Sequence, residues 1–136
     1  QRGLVPLGPK LTSDQRCEFL CGDFFALAQS PGLNPAQPEK RYHAILVDID
    51  HSPSHVLNPA HRHLYTTAGL RQLAGHLHPG GVFALWSNDP PEEAFLRLLS
   101  SVFPDARADV VRFHNPLQNR EATNTIYIGR SPTRID

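Results

Sequence analysis

Two uninterrupted apolar runs with a helix-period stretch between them constrain this chain more than any other feature. They are residues 44–47 (Ala-Ile-Leu-Val) and residues 82–86 (Val-Phe-Ala-Leu-Trp). Neither run alternates polar with apolar side chains. Each therefore reads as a strand covered on both faces, the pattern of a parallel sheet and not of a half-solvated antiparallel one. Between them Leu70, Leu73, Ala74 and Leu77 recur at i, i+3, i+4 and i+7, which predicts an amphipathic helix over residues 66–77 that Pro79-Gly80-Gly81 stops. Strand, helix, strand in that order is one βαβ unit, and the fold class is α/β.

The first strand ends on acids. Asp48 falls where the apolar run stops, Asp50 follows two residues later, and Ser52-Pro53 turns the chain away. In open α/β sheets ligands bind outside the carboxyl ends of the strands. Asp48 is thus the candidate catalytic carboxylate, its orientation set by the sheet, and Asp50 in the departing loop is a candidate substrate-binding group. The plainer alternative, that both are solvated loop acids or that Asp50 caps the next segment, stays open on these grounds.

Other segments fill in around this unit. Gly3, Pro6, Gly8 and Pro9 exclude a long regular element over residues 1–15. Residues 16–21 alternate weakly and read as a strand ending at Gly22-Asp23, followed by a short helix over residues 24–29 and a proline-rich connector over residues 30–40. His51, His55, His61 and His63 lie close in sequence, and imidazole is a common zinc ligand. Pro53 and Pro59 break any rigid frame for them, and no third and fourth ligand follow at a usual spacing, so no metal site is expected. Beyond residue 86, Asn88 or Asp89 caps a helix with Pro90, Pro91, Glu92 and Glu93 in its first turn. Its apolar face is Phe95, Leu98, Leu99 and Val102, and Pro104 ends it. Residues 109–113 and 125–129 are two strands about the polar loop 115–124, close enough in sequence to pair antiparallel. The expected sheet is mainly parallel with a C-terminal antiparallel hairpin.

The 136 residues suit a single domain spanning residues 1–136. Thirteen basic and thirteen acidic side chains cancel, so no overall field attracts nucleic acid or an anionic membrane, and a small molecule is the expected partner. No apolar run approaches the roughly 20 residues that span a bilayer, and no signal-peptide layout is present, so the expected location is cytoplasmic. Cys17 and Cys21 are too far apart along a strand for a disulfide and read as core thiols. There is no methionine, including at position 1, so a fragment or processed piece is expected.

Four stretches together resemble the spermidine synthase-like aminopropyltransferases, within the class I S-adenosylmethionine-dependent methyltransferase fold. They are Glu18-Phe-Leu-Cys-Gly-Asp-Phe-Phe, Tyr42-His-Ala-Ile-Leu-Val-Asp-Ile-Asp, Leu77-His-Pro-Gly-Gly-Val-Phe-Ala-Leu-Trp and Thr123-Asn-Thr-Ile-Tyr-Ile-Gly-Arg. Their order and spacing match the C-terminal portion of that fold, a partial Rossmann-like sheet. The resemblance implies that Gly22, Asp23 and Phe24 contact the donor nucleotide, Asp23 at the adenine amino group. It further implies that Asp48 is catalytic and that Tyr65 lines the amine pocket. The family's second substrate-holding acid stands in Asp-x-x-Asp; here Asp50 comes one residue early, a departure at the position that holds the diamine. The implied reaction moves an aminopropyl group from decarboxylated S-adenosylmethionine to an amine such as putrescine, the donor being a substrate and no cofactor being tightly bound. A methyltransferase using S-adenosylmethionine, or a non-catalytic scaffold of the same fold, is the alternative. A carboxylate suits either chemistry, because it can take a proton from an ammonium nucleophile and stabilise a cationic centre.

One departure from the family is large. No Gly-x-Gly loop follows a strand, and no acid-ended strand precedes Asp23. The first strands and glycine-rich loop of the nucleotide site are therefore missing, which leaves one flank of the residue 44–50 strand unpaired. The expectation is that an upstream segment or a second copy of the chain completes the sheet, and that residues 1–136 alone are inactive.

Overall fold

The computed structural model of the chain describes residues 8–49 and 51–133. Its elements in chain order are α1 (Gly8–Ser13), α2 (Phe24–Ala28), β1 (Tyr42–Asp48), a 3₁₀ helix (Pro59–Tyr65), α3 (Thr67–Ala74), β2 (Leu77–Ser87), α4 (Glu93–Ser100), β3 (Arg107–Asn115) and β4 (Arg120–Arg130). The fold is α/β, with a four-stranded mixed sheet in the order β1-β2-β4-β3. β1 and β2 pair in parallel from Ala44↔Val82 to Asp48↔Trp86, with α3 as the crossover between them. β3 and β4 form the expected hairpin, longer than the apolar residues alone suggested because Asn115↔Arg120 still pair.

The sheet is not mainly parallel in its pairings. β4 turns back from β3 and inserts against β2, so β2 has an antiparallel neighbour on its second flank (Leu85↔Tyr127), and β1–β2 is the one parallel pair among the described residues. Nor are β1 and β2 covered on both faces. Ile45, Val47, Phe83, Leu85 and Tyr127 point toward the helices and are buried, whereas Leu46 on the opposite face of β1 is 75% exposed. The helices α2, α3 and α4 pack on one side, and among the described residues nothing layers the other. Unbroken apolar runs report that a strand can be buried twice; they do not supply the second cover.

Residues 16–21 form no strand. They are exposed, Phe19 at 67%, with no ladder partner among the described residues, and Cys17 and Cys21 are exposed free thiols, not core residues. Weak alternation specifies a strand only where a neighbouring flank accepts its hydrogen bonds. α3 also stops sooner than its apolar spacing implies. Gly75 N–H bonds back to Arg71 and Gln72, and Leu77, the last apolar position of the helical pattern, opens β2 opposite Tyr42. Between Tyr42↔Leu77 and Ala44↔Val82 the register shifts, as Pro79-Gly80-Gly81 bulges outward with Gly80 at φ 75°. The proline-broken stretch after β1 carries the 3₁₀ helix, started by Asn58, whose side chain accepts from Ala60 N–H, and by Pro59 at its first position.

The core lies between the sheet and the helices. Leu70, Leu73, Leu99, Phe83, Phe103 and Tyr127 are fully shielded, and Phe83 stacks on Phe103 with ring centroids 5.7 Å apart. Each such side chain stabilises the fold by about 1.5–3 kcal/mol relative to exposure. Among the described residues no helix is long and apolar enough to cross a membrane.

Candidate functional site

The loops that leave β1 and β2 meet at the carboxyl ends of those strands. Ser52 Oγ donates to Asp89 Oδ2 at 2.5 Å, and His55 Nδ1 meets the same oxygen at 2.7 Å. Ser54 donates its hydroxyl to Glu92, and Thr125 Oγ1 donates to the Asp89 carbonyl at 2.7 Å. Asp89 is therefore not a helix cap. α4 begins at Glu93 after Glu92, whose backbone N–H donates to the Tyr127 hydroxyl at 2.6 Å. The Ser52 hydrogen bond, and then that of His55, hold the Asp89 carboxyl below its ordinary range.

A serine, a histidine and an aspartate in contact invite comparison with a nucleophilic triad. The roles do not fit. In a triad the serine bonds one ring nitrogen and the acid orients the other, whereas here Asp89 accepts from Ser52 directly and shares His55 Nδ1 with it. Ser52 is moreover 2% exposed, which leaves its oxygen no approach for a substrate. The cluster is a clamp that fixes the β1 loop to the β2 loop.

A second group lies beneath it. His51 Nε2 and the Tyr65 hydroxyl share a hydrogen bond of 2.5 Å, and His61 lies flat on Phe25, centroids 3.6 Å apart at 4°. Burial first, and then the neighbouring His61, push the His51 pKa down. Tyr65 is pushed well above the ordinary tyrosine range by burial and then by the charge of Glu92. His63 reaches Gln72 at 2.9 Å, so the four clustered histidines serve three different surroundings. Among the described residues no group of three or more His, Cys, Asp or Glu side chains is placed to hold a metal ion.

The residues singled out in the sequence fall into two places. Asp48, the last residue of β1, shares the uncovered face with Ala44 and Leu46 by strand alternation. It lines a recess of about 250 Å³ with Leu46, Ala84, Trp86 and Ile126, and its carboxylate has no hydrogen-bond partner among the described residues. Asp50 lies outside the described residues. On the helix-covered face, Asp23 is the N-cap of α2; its Oδ1 accepts from Phe25 N–H at 2.9 Å and Ala26 N–H at 3.3 Å, leaving Oδ2 unused. Gly22 beside it is exposed, and Phe24 stands edge-on to Phe25. Tyr65 packs edge-on to Phe95, 5.6 Å between centroids. The α2 residues and Tyr65 thus share a side through Phe25, His61 and His51, and Asp48 is across the sheet from them.

Sequence reasoning passed over Asp89 and Glu92, taking both as parts of a helix start. Their position directly after the second strand's carboxyl end was the available signal, the same one that singled out Asp48. Glu92 borders a second cavity of about 260 Å³, together with Pro53, Tyr65, Phe95 and Leu98. No family model matches the chain, and no curated protein matches it.

Proposed function

We propose that these residues form the acceptor side of a spermidine synthase-like transferase of the Rossmann-like class I methyltransferase fold, in which Asp48 accepts the proton of an amine nucleophile. The observation that carries this reading is the placement of Asp48: an unpartnered carboxylate at the carboxyl end of a strand whose parallel pairing fixes it, above an apolar recess. In the reaction the deprotonated amine nitrogen attacks the propyl carbon bound to the sulfonium of decarboxylated S-adenosylmethionine. The N–C bond forms as the C–S bond breaks, methylthioadenosine leaves with the sulfur electron pair, and the amine's proton passes to Asp48. Leu46, Trp86 and Ile126 supply apolar surface beside the carboxylate for the carbon chain of an amine. Oδ2 of Asp23, without a partner among the described residues, can accept from an adenine amino group, although Asp23 lies with Tyr65 across the sheet from Asp48. The open flank of β1 and the uncovered sheet face support a donor site completed by residues other than those described, from the same polypeptide or from a second copy.

A non-catalytic scaffold is favoured by one observation, the separation of Tyr65 and Asp48 onto opposite faces of the sheet. One experiment separates the readings. The native polypeptide carrying these 136 residues is incubated with a diamine and each donor. Methylthioadenosine from the decarboxylated donor supports aminopropyl transfer, and S-adenosylhomocysteine from S-adenosylmethionine supports methyl transfer. The absence of both, with no thermal stabilisation by an adenosine-containing ligand in excess, counts against both enzyme readings and favours the scaffold.

A further inference from the structure

The cavity bordered by Glu92 lies on the helix-covered side of the sheet, away from Asp48, and the transfer reaction makes no use of it. Its volume of about 260 Å³ is near the small end for ligand pockets and suits a molecule of a few carbons. It is open to solvent, with Ala94, Phe95 and Leu98 from α4 supplying apolar surface and Pro53 and Tyr65 flanking them. Glu92 is the one charged residue that lines it. Its carboxylate accepts from the Ser54 hydroxyl and N–H but has no cationic partner among the described residues, since the nearby Arg97 pairs with Glu93 at 2.7 Å. The hydroxyl of Tyr65 is anchored on His51, which fixes the ring at the cavity wall.

We propose that this cavity binds an organic monocation, an ammonium head at Glu92 and Tyr65 with an apolar chain along Phe95 and Leu98. The carboxylate supplies the charge complement, and an aromatic ring beside it adds cation–π attraction. One carboxylate neutralises one charge. A neutral chain of the same length forgoes the charge pairing, and an anion would be repelled by Glu92. The proposal shares Tyr65 with the amine pocket that the resemblance implies, but involves neither Asp48 nor a nucleotide.

The test is a titration of the isotope-labelled 136-residue chain with hexylammonium, followed through amide NMR spectra. Hexylammonium should give saturable shifts at Ser54, Glu92, Ala94 and Phe95, and bind at least about tenfold more tightly than hexanol. Glu92→Gln keeps the side chain's shape, an oxygen for Ser54 and the backbone bond to Tyr127, and should weaken binding by at least about tenfold. Ala94→Phe leaves the carboxylate intact, fills the cavity and should abolish binding. Hexanol binding as tightly as hexylammonium, or either variant binding like the parent, overturns the proposal. So does an absence of saturable shifts, or shifts confined to Asp48 and Trp86.

Discussion

Gly69→Ala sets two forces against each other, and the structure decides the sign. Gly69 is the third residue of α3, where alanine is ordinarily favoured over glycine by about 0.8–1 kcal/mol. A β-carbon there would lie 2.0 Å from the His63 carbonyl oxygen, 2.8 Å from its carbon and 3.0 Å from Leu64 Cα, all of them backbone atoms of the 3₁₀ helix. Reaching an ordinary separation of about 3.5 Å requires that helix to retreat by more than an ångström. The His63 oxygen resists, because it accepts from Thr66 N–H at 3.1 Å and from Thr66 Oγ1 at 2.7 Å. Loss of two such bonds costs about 1 kcal/mol each, and overpacking adds a further 1–3 kcal/mol. Against the propensity gain the net is a destabilisation of about 3 kcal/mol, or a fall in Tm of roughly 10 °C for a chain of this length. Thermal unfolding followed by circular dichroism measures it, with Gly22→Ala as the control. There the new β-carbon meets only the flexible Leu27 Cδ1 at 3.2 Å, and the expected change is within about 0.5 kcal/mol. A Gly69→Ala protein that melts at or above the parent temperature would show that propensity wins and that the two helices do not cross this closely.

Other expectations follow from the same structure. Asp48→Asn in the native polypeptide should lower turnover at least about 100-fold while leaving Tm nearly unchanged, and Asp50→Asn should lower turnover far less; steady-state rates with the reverse pattern refute the assignment of Asp48. Asp89 has its pKa lowered in the folded state, so its contribution to stability is full above the ordinary value of 3.8 and is lost as pH falls through the folded value. Melting temperatures taken below about pH 4 should therefore fall less steeply in Asp89→Asn than in the parent. His51 obeys the same sign in a different window: its pKa is depressed from 6.5, so the unfolded chain takes up the proton first and stability declines as pH drops below that value. His51→Gln should flatten that upper limb and leave the Asp89 limb intact. Phe103→Ala removes a side chain with 0% exposure that stacks on Phe83, and should cost about 3–5 kcal/mol by urea unfolding.

Local patterns foretold the parts of the fold that local patterns control. The apolar runs at residues 44–47 and 82–86 are β1 and β2, the i, i+3, i+4 spacing of Leu70, Leu73 and Ala74 is α3, and the short separation of β3 from β4 makes them a hairpin. What escaped depends on partners distant in sequence. The Asp89 clamp joins residues 34 and 37 positions apart, and no periodicity registers such a pair. Leu77 satisfied the helical repeat, yet pairing with Tyr42 draws it into β2, a tertiary preference overriding a local one. Residues 16–21 failed as a strand for the converse reason, since alternation without an accepting flank forms no ladder. Of the candidate site, the placement of Asp48 at a strand's carboxyl end was legible, and the face it occupies was not, because an unbroken apolar run is silent about which side the helices take.

Among the described residues β1 has a neighbour on one flank only, and this divides its amides into two populations. Along an edge strand successive backbone N–H groups point alternately toward the paired neighbour and away from the sheet. Those of β1 that face β2 are released only when the strand detaches, while the outward set has no strand partner among the described residues. Deuterium uptake across residues 42–48 therefore takes the form of a comb, with rapid and slow positions interleaved within a single strand. Anything that seats a further strand against that flank must slow the rapid teeth, so the comb reports occupancy of the sheet's edge without knowledge of what occupies it.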